Sequence, residues 1–142
     1  STFWTERIGP TAALKTLEVM EREKSWNKIT DIGALISKGW KNIGEKYQLP
    51  LEISGIKALV NFRIPVQNWI KYKTLITQEM LKKGFLAGNS VYVCTKHSSQ
   101  IVHDYFEKID PIFSTIADCE NGKNIDSLLE GPVCHEGFKR LN

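Results

Sequence analysis

The sequence predicts a small α+β domain whose helices cover one side of a short, mostly antiparallel sheet. The chain has 142 residues, 42% of them hydrophobic, which suffices for one hydrophobic core. Apolar residues recur at helical spacing on both sides of a strand-rich stretch, so we expect the helices to pack on a central sheet. The predicted order is helix, helix, strand, strand, helix, strand, helix. This order is typical of a two-layer α+β domain.

The first predicted helix spans about residues 11–23. Pro10 precedes it, and proline suits the first turn of a helix because its missing N–H would have no partner there. Apolar residues recur at helical spacing and charged residues fill the other face. The apolar residues are Ala13, Leu14, Leu17 and Met20.

The second predicted helix spans about residues 28–47, with an apolar stripe that begins at Ile29 and ends at Tyr47. Three glycines, Gly33, Gly39 and Gly44, weaken this helix but allow a neighbouring element to come close. Pro50, which follows Leu49, then ends the helix.

The stretch 51–64, LEISGIKALVNFRI, predicts the buried centre of the sheet. It contains two apolar bursts of strand length. Ser54 and Gly55 lie between them, and we expect these two residues to form a tight turn or a bulge. A third strand is predicted over about 90–95, where Val91, Tyr92 and Val93 follow a turn-rich link.

Two further helices are predicted around the third strand. The first spans about 67–83 and ends at Gly84, which suits a helix C-terminus. The second starts after a cap at Ser98 or Ser99, and Pro111 is expected to bend or split it. The sequence at 121–122 ends this helix, and a last short helix over 125–129 precedes an extended tail over 131–142.

Composition argues against several classes of function. The chain has 19 basic and 16 acidic residues, interleaved, with a net charge of +3, which does not indicate a nucleic-acid partner. No apolar run is long enough to span a membrane, so no membrane association is expected. The cysteines Cys94, Cys119 and Cys134 are far apart and form no CxxC pair. Reduced thiols, no metal site and a cytoplasmic location are the resulting predictions.

The titratable residues form no complete active site in the sequence. Cys94 and His97 could suggest a nucleophile and a base, but nothing in the sequence holds them within hydrogen-bond reach of each other. Arg63 ends an apolar strand, where an arginine either reaches the surface or binds an anion. No catalytic residue is therefore assigned.

Four segments, in order, carry a resemblance to a known family. They are STFWTERIGPTAALKTLEVMERE, SGIKALVNFRI, EMLKKGFLAGNSVYV and KHSSQIVHDYFEKID. Their order and spacing resemble a part of class III pyridoxal-phosphate-dependent aminotransferases, particularly the branch similar to glutamate-1-semialdehyde 2,1-aminomutase. The part in question follows the Schiff-base lysine and forms the C-terminal small domain of these fold type I enzymes. The resemblance covers nearly all of the chain.

The resemblance implies a domain organisation and an activity for the intact protein. Residues 1–24 would be the connecting segment and helix that lead from a large domain, and residues 25–142 would be the C-terminal small domain. The intact protein would be a homodimer that uses pyridoxal 5'-phosphate to move an amino group on a small amine or keto substrate, by transfer or by an internal 2,1 shift. The family's lysine, aspartate and stacking aromatic residue belong to the large domain, so this chain alone is expected to be inactive.

The resemblance also implies four site residues. Thr2 has the same spacing to Leu14 as the family's threonine that contacts the cofactor phosphate of the neighbouring subunit, and Ser1 is a second candidate for this role. Asn89, with the turn around it, and Arg63 are candidates to face the substrate pocket.

Two other classes of function remain open from the residues. The first is a stand-alone α+β module that binds a small ligand or regulates another protein, which the absence of a complete catalytic set favours. The second is a basic nucleic-acid-binding domain, which predicts steeply salt-dependent binding that the mixed charges do not favour.

Overall fold

The computed structural model of the chain describes residues 5–135 and 137. These residues form an α+β domain with four α-helices and a three-stranded antiparallel sheet, as predicted. The elements, in order, are α1 (Ile8–Glu23), α2 (Ser25–Tyr47), β1 (Glu52–Ile56), β2 (Leu59–Arg63), α3 (Trp69–Lys82), β3 (Ser90–Tyr92) and α4 (Ser99–Glu120), followed by a 3₁₀ turn (Ile125–Leu128).

The sheet has the strand order β1, β2, β3, so β2 is its central strand. β1 and β2 form a hairpin in which Glu52 lies opposite Arg63 and Ile56 lies opposite Leu59. β3 continues the sheet on the other side of β2, with its Tyr92 opposite Leu59. Since only β2 has a neighbour on each side, the sheet is buried mainly at this strand.

The hairpin turn lies at Lys57 and Ala58, and β1 pairs with β2 residue by residue, so the predicted turn or bulge at Ser54 and Gly55 is wrong. Gly55 stays inside β1, opposite Val60, with a φ angle of +88°. A Cβ atom at this position would overlap the carbonyl oxygen of the facing strand. The glycine is therefore needed to keep the two strands paired through a distorted stretch of β1, and it does not end the strand.

The two apolar bursts differ in burial, although both were expected at the buried centre. Val60 and Phe62 of β2 are buried, as is Ile64 just after it, whereas Ile56 at the end of β1 is 72% exposed. β1 lies at an edge of the sheet, where apolar side chains can remain in contact with solvent. The second burst therefore supplies the fully buried residues, while Leu51 and Ile53 of the first are partly buried and pack against the core.

The core is centred on Phe62, which is fully buried. Its ring lies 4.7 Å from that of Trp40 on α2, 6.0 Å from that of Trp69 at the start of α3 and 5.7 Å from that of Phe113 on α4, centroid to centroid. These distances are typical of packed aromatic rings. One side chain of the central strand thus contacts the three helices that cover the sheet.

Two glycines of α2 allow neighbouring elements to approach this helix closely, as the sequence predicted. A Cβ atom on Gly33 would overlap the carbonyl oxygen of Lys57 in the hairpin turn, and one on Gly39 would overlap the ring of Phe106 on α4. Both contacts allow α2 to lie directly against its neighbours.

The ends of α3 and α4 follow the predicted signals. After α3, Gly84 has a φ angle of +83° and donates its N–H to Leu81, while Phe85 donates its N–H to Met80. This pair of hydrogen bonds is a Schellman motif. At the start of α4, the Ser98 hydroxyl accepts the N–H of Ile101 and caps the helix, as predicted for one of two serines.

α4 is continuous through Pro111, so the predicted split of this helix does not occur. Proline removes one backbone donor, but the residues on both sides of it, Ile109, Ile112 and Phe113, are buried in the core. Nearby, the Lys83 ammonium donates to the carbonyl oxygen of Lys108. Core packing on both sides of the proline outweighs the loss of one hydrogen bond.

We expect Gly33→Ala to lower the free energy of unfolding by about 1–3 kcal/mol, because the new methyl group meets backbone that cannot move aside. Urea denaturation measures this change. Gly9→Ala in α1 is the matched control, because no described residue lies within 4 Å of the added Cβ, and its free energy of unfolding should stay the same or rise by up to about 1 kcal/mol. Equal values for the two variants would contradict the close approach of α2 to the hairpin.

Candidate functional site

A cavity of about 320 Å³ lies between β3, the segment after α3 and the first half of α4. Its interior is formed by apolar and aromatic side chains, which come from α2, the segment after α3, β3 and α4. They are Ile36, Phe85, Ala87, Val91, Val102 and Tyr105. The exposed side chains of Leu86 and Tyr92 and the half-buried His97 also line it. The cavity is therefore an apolar space with an imidazole beside it.

The Schellman motif after α3 positions one wall of the cavity. It turns the chain sharply at Gly84, so that Phe85 packs back toward α4 while the next side chain points to solvent. The Phe85 ring lies 6.1 Å from that of Tyr105, and Leu86 is 92% exposed. The predicted helix end at Gly84 thus has a second consequence, which is to form the cavity wall.

His97 is held in position by the main chain of Cys94. The Cys94 N–H donates to Nδ1 of His97 at 3.2 Å, and the His97 N–H donates to the Cys94 carbonyl at 3.1 Å. A neutral imidazole whose Nδ1 accepts a hydrogen bond carries its proton on Nε2. Among the described residues Nε2 has no hydrogen-bond partner, so it remains a free donor.

The Cys94 thiol makes no hydrogen bond with the imidazole in the part of the chain that the structure describes. The structure brings the two residues together, but through the backbone of Cys94. A thiol that is not activated by the imidazole is not the nucleophile of a cysteine–histidine pair. The two hydrogen bonds between Cys94 and His97 therefore form a structural turn that orients the imidazole.

Tyr105 joins the cavity to the aromatic core. Its hydroxyl oxygen accepts a hydrogen bond from Nε1 of Trp40 at 3.0 Å. Burial raises the pKa of the Tyr105 hydroxyl well above its usual value, so the group stays protonated. Tyr72 on α3 also has a raised pKa, because burial and its hydrogen bond to the Glu120 carboxylate both disfavour the phenolate.

Asn89 precedes Ser90 of the cavity lining, and two of its polar groups are bonded to β2. Its carbonyl accepts the N–H of Phe62 at 3.0 Å, and its side-chain amide donates to the Phe62 carbonyl at 3.1 Å. These bonds extend the pairing of β2 and β3 by one residue. The structure thus gives Asn89 a role in holding the strand, and its role in a substrate pocket stays a prediction.

Arg63 is the last residue of β2. It follows Phe62, the residue to which Asn89 is hydrogen-bonded, so it lies close to Asn89. Its side chain is exposed, and it forms no ion pair with any carboxylate of residues 5–135 or 137. Because neighbouring side chains of a strand point to opposite faces, Arg63 leaves the sheet on the side opposite the buried Phe62. The structure therefore does not bring Arg63 into the cavity.

Thr2 and Ser1, the residues predicted to contact a cofactor phosphate, lie outside the described residues. Both remain predictions.

One cluster on α4 was not predicted from the sequence. His103, Asp104 and Glu107 can bring one ligand atom each within 4.8 Å of one another. His103 and Glu107 are exposed, and Asp104 accepts a hydrogen bond from Gln100 at 2.7 Å. Exposed carboxylates at helical spacing commonly lie close together on a solvated face, so we assign no metal site here.

α1 carries apolar side chains that no element of the described chain covers. All sixteen residues of this helix are described, and none is buried. Leu14 is 65% and Leu17 is 61% exposed. The helix is joined to α2 through a single residue, Lys24, which has a left-handed conformation with φ +50°. α1 therefore has an apolar face that the described residues leave exposed.

No protein-family model matches the chain, and no curated protein matches it. Among the described residues, no helix is both long and apolar enough to cross a membrane. The site must therefore be interpreted from its own chemistry and from the resemblance in the sequence.

We expect Tyr105→Phe to lower the free energy of unfolding by about 1–3 kcal/mol, because it leaves the buried indole N–H of Trp40 without its acceptor. Tyr92→Phe is the matched control, since Tyr92 is 77% exposed and its hydroxyl can bond to water. Urea denaturation followed by tryptophan fluorescence measures both. If both variants unfold like the parent chain, the Trp40–Tyr105 hydrogen bond does not link the core to the cavity.

Proposed function

We propose that this chain is the C-terminal small domain of a pyridoxal-phosphate-dependent aminotransferase or aminomutase similar to glutamate-1-semialdehyde 2,1-aminomutase. The intact enzyme is a cytoplasmic homodimer that moves an amino group on a small amine or keto substrate. The basis of this proposal is the resemblance of four segments in order, and the α+β fold is compatible with it.

The structural observation that supports the proposal is the free apolar face of α1. A helix of this length has little stability in water by itself, and most helices gain stability by burying an apolar face. The described residues of this chain do not bury Leu14 and Leu17. A helix that leads from a large domain into a small one would have the large domain to pack against.

The cofactor would supply an electron sink for amino-group chemistry in the intact enzyme. The cavity does not suit such a cofactor, because no lysine and no carboxylate stands among the described residues that line it. This chain would instead close one side of the substrate pocket, and Thr2 and Ser1 would contact the cofactor phosphate. A hydroxyl and a backbone N–H near the start of a helix suit phosphate oxygens.

The second candidate function is a stand-alone α+β module that binds a small ligand. One observation favours it, namely the apolar cavity beside His97. This candidate predicts ligand binding by the chain alone, without pyridoxal phosphate.

An absorbance spectrum of the longest natural form of the polypeptide tests the aminotransferase proposal. We expect a yellow band from bound pyridoxal phosphate, which borohydride removes while it fixes the cofactor to a lysine. Peptide mapping should place that lysine outside Ser1–Asn142. The control is this chain alone, which should be colourless after incubation with pyridoxal phosphate and dialysis into buffer without the cofactor.

A natural polypeptide that stays colourless with added pyridoxal phosphate would contradict the proposal. A cofactor fixed to a lysine of this chain would contradict the assignment of the Schiff-base lysine to the large domain.

The free face of α1 gives a second expected result. This chain alone should self-associate at high concentration, because Leu14 and Leu17 expose apolar surface, and the double variant Leu14→Ser/Leu17→Ser should reduce the association. Sedimentation equilibrium measures the average mass. The control is Lys15→Ser/Glu18→Ser, which removes an exposed ion pair from the same helix and should leave association unchanged. A strict monomer at all concentrations would show that this face is too small to need cover.

A further inference from the structure

We propose that the cavity beside His97 binds a small aromatic carboxylate. This site goes beyond the proposed amino-group chemistry and does not rest on it, since the residues that line the cavity all belong to this chain.

The size and lining of the cavity fit one aromatic ring. Its volume of about 320 Å³ lies at the lower end of the range of about 300–1,000 Å³ for small-molecule sites. Phe85 and Tyr105 supply aromatic surface, and Val91 and Val102 supply branched apolar surface. A single planar ring gains contact with such walls, and offset or edge-on contact between rings adds to the gain from burial.

The polar group that would orient the ligand is His97. The main chain of Cys94 fixes the imidazole through Nδ1, and this leaves the Nε2–H free among the described residues. A donor that is already oriented loses little entropy on binding. A carboxylate is the acceptor that makes the stronger, charge-assisted hydrogen bond with such a donor.

The described lining of the cavity carries no lysine or arginine, so the preference for an anion rests on His97 and on the start of α4. Among the described residues, no aspartate or glutamate lines the cavity, so none of their carboxylates repels the ligand there. α4, a helix of 22 residues, begins beside the cavity, and its early residues Ile101 and Val102 are part of the lining. The positive end of its dipole adds to the hydrogen bond from His97, although it would not make a site by itself.

Two exposed apolar side chains at the cavity also favour a ligand. Leu86 is 92% and Tyr92 is 77% exposed, and both line the cavity. A bound ring would cover part of this surface and release water from it. The site therefore combines apolar cover with one oriented donor, as small-molecule sites commonly do.

The test uses benzoate as the probe and this chain, Ser1–Asn142, as the protein. A titration followed by ¹H–¹⁵N correlation spectra should give saturable shifts that concentrate at the amides of Val91, His97 and Ile101. His97→Phe keeps a ring of similar size but removes the donor, and it should weaken binding by about tenfold or more. Ala87→Phe should fill the cavity and abolish binding. Ala13→Phe, which adds the same side chain at an exposed position of α1, should bind benzoate like the parent chain.

The correlation spectrum of each variant shows whether it is folded, and Ala87→Phe tests the site independently of His97→Phe. Shifts that do not saturate, or saturable binding that survives Ala87→Phe, would overturn the proposal. If the parent chain and a folded His97→Phe variant bind benzoate equally, His97 does not bind the carboxylate of the ligand, and that part of the proposal is overturned. Neither result depends on pyridoxal phosphate, so failure here is distinct from failure of the aminotransferase proposal.

Discussion

The packing of Phe62 against three aromatic rings is the contact on which the rest of the fold depends. Burial of a large apolar side chain contributes about 1.5–3 kcal/mol, and each well-placed aromatic pair adds about 0.5–1.5 kcal/mol beyond its burial. The three partner rings belong to α2, α3 and α4, so one residue of β2 fixes three helices on the same face of the sheet. The position of each helix is therefore constrained through the central strand.

The cavity lies where this packing ends. β3 is a short edge strand, and the helices cover β2 more completely than they cover β3. The hydrogen bond from Trp40 to Tyr105 links the aromatic core to the cavity, because Trp40 also packs on Phe62. The cavity walls are thus held by the core, and only the exposed residues beside it are left to respond to a ligand.

The fold could be predicted largely from local signals, whereas the cavity could not. The glycine after α3, the serine cap of α4 and the helical stripes each act within a few residues of the chain, and the structure confirms them. Gly55 misled the prediction because glycine serves both in turns and in distorted strands, and only the facing strand decides between them. The cavity depends on Ile36, Phe85 and Tyr105, which are far apart in the sequence, so no local pattern shows that they meet.

α1 shows a different limit of prediction from sequence. Its apolar stripe follows the same rule as the stripe of α2, and the sequence predicts an amphipathic helix at both places. In the structure α2 buries its stripe against the sheet and α4, but α1 exposes Leu14 and Leu17. A pattern of apolar residues specifies that a face is to be covered, and it does not specify by what. The contrast between the two stripes, one buried and one left exposed by the described residues, therefore shows that the same sequence pattern can end in different burial.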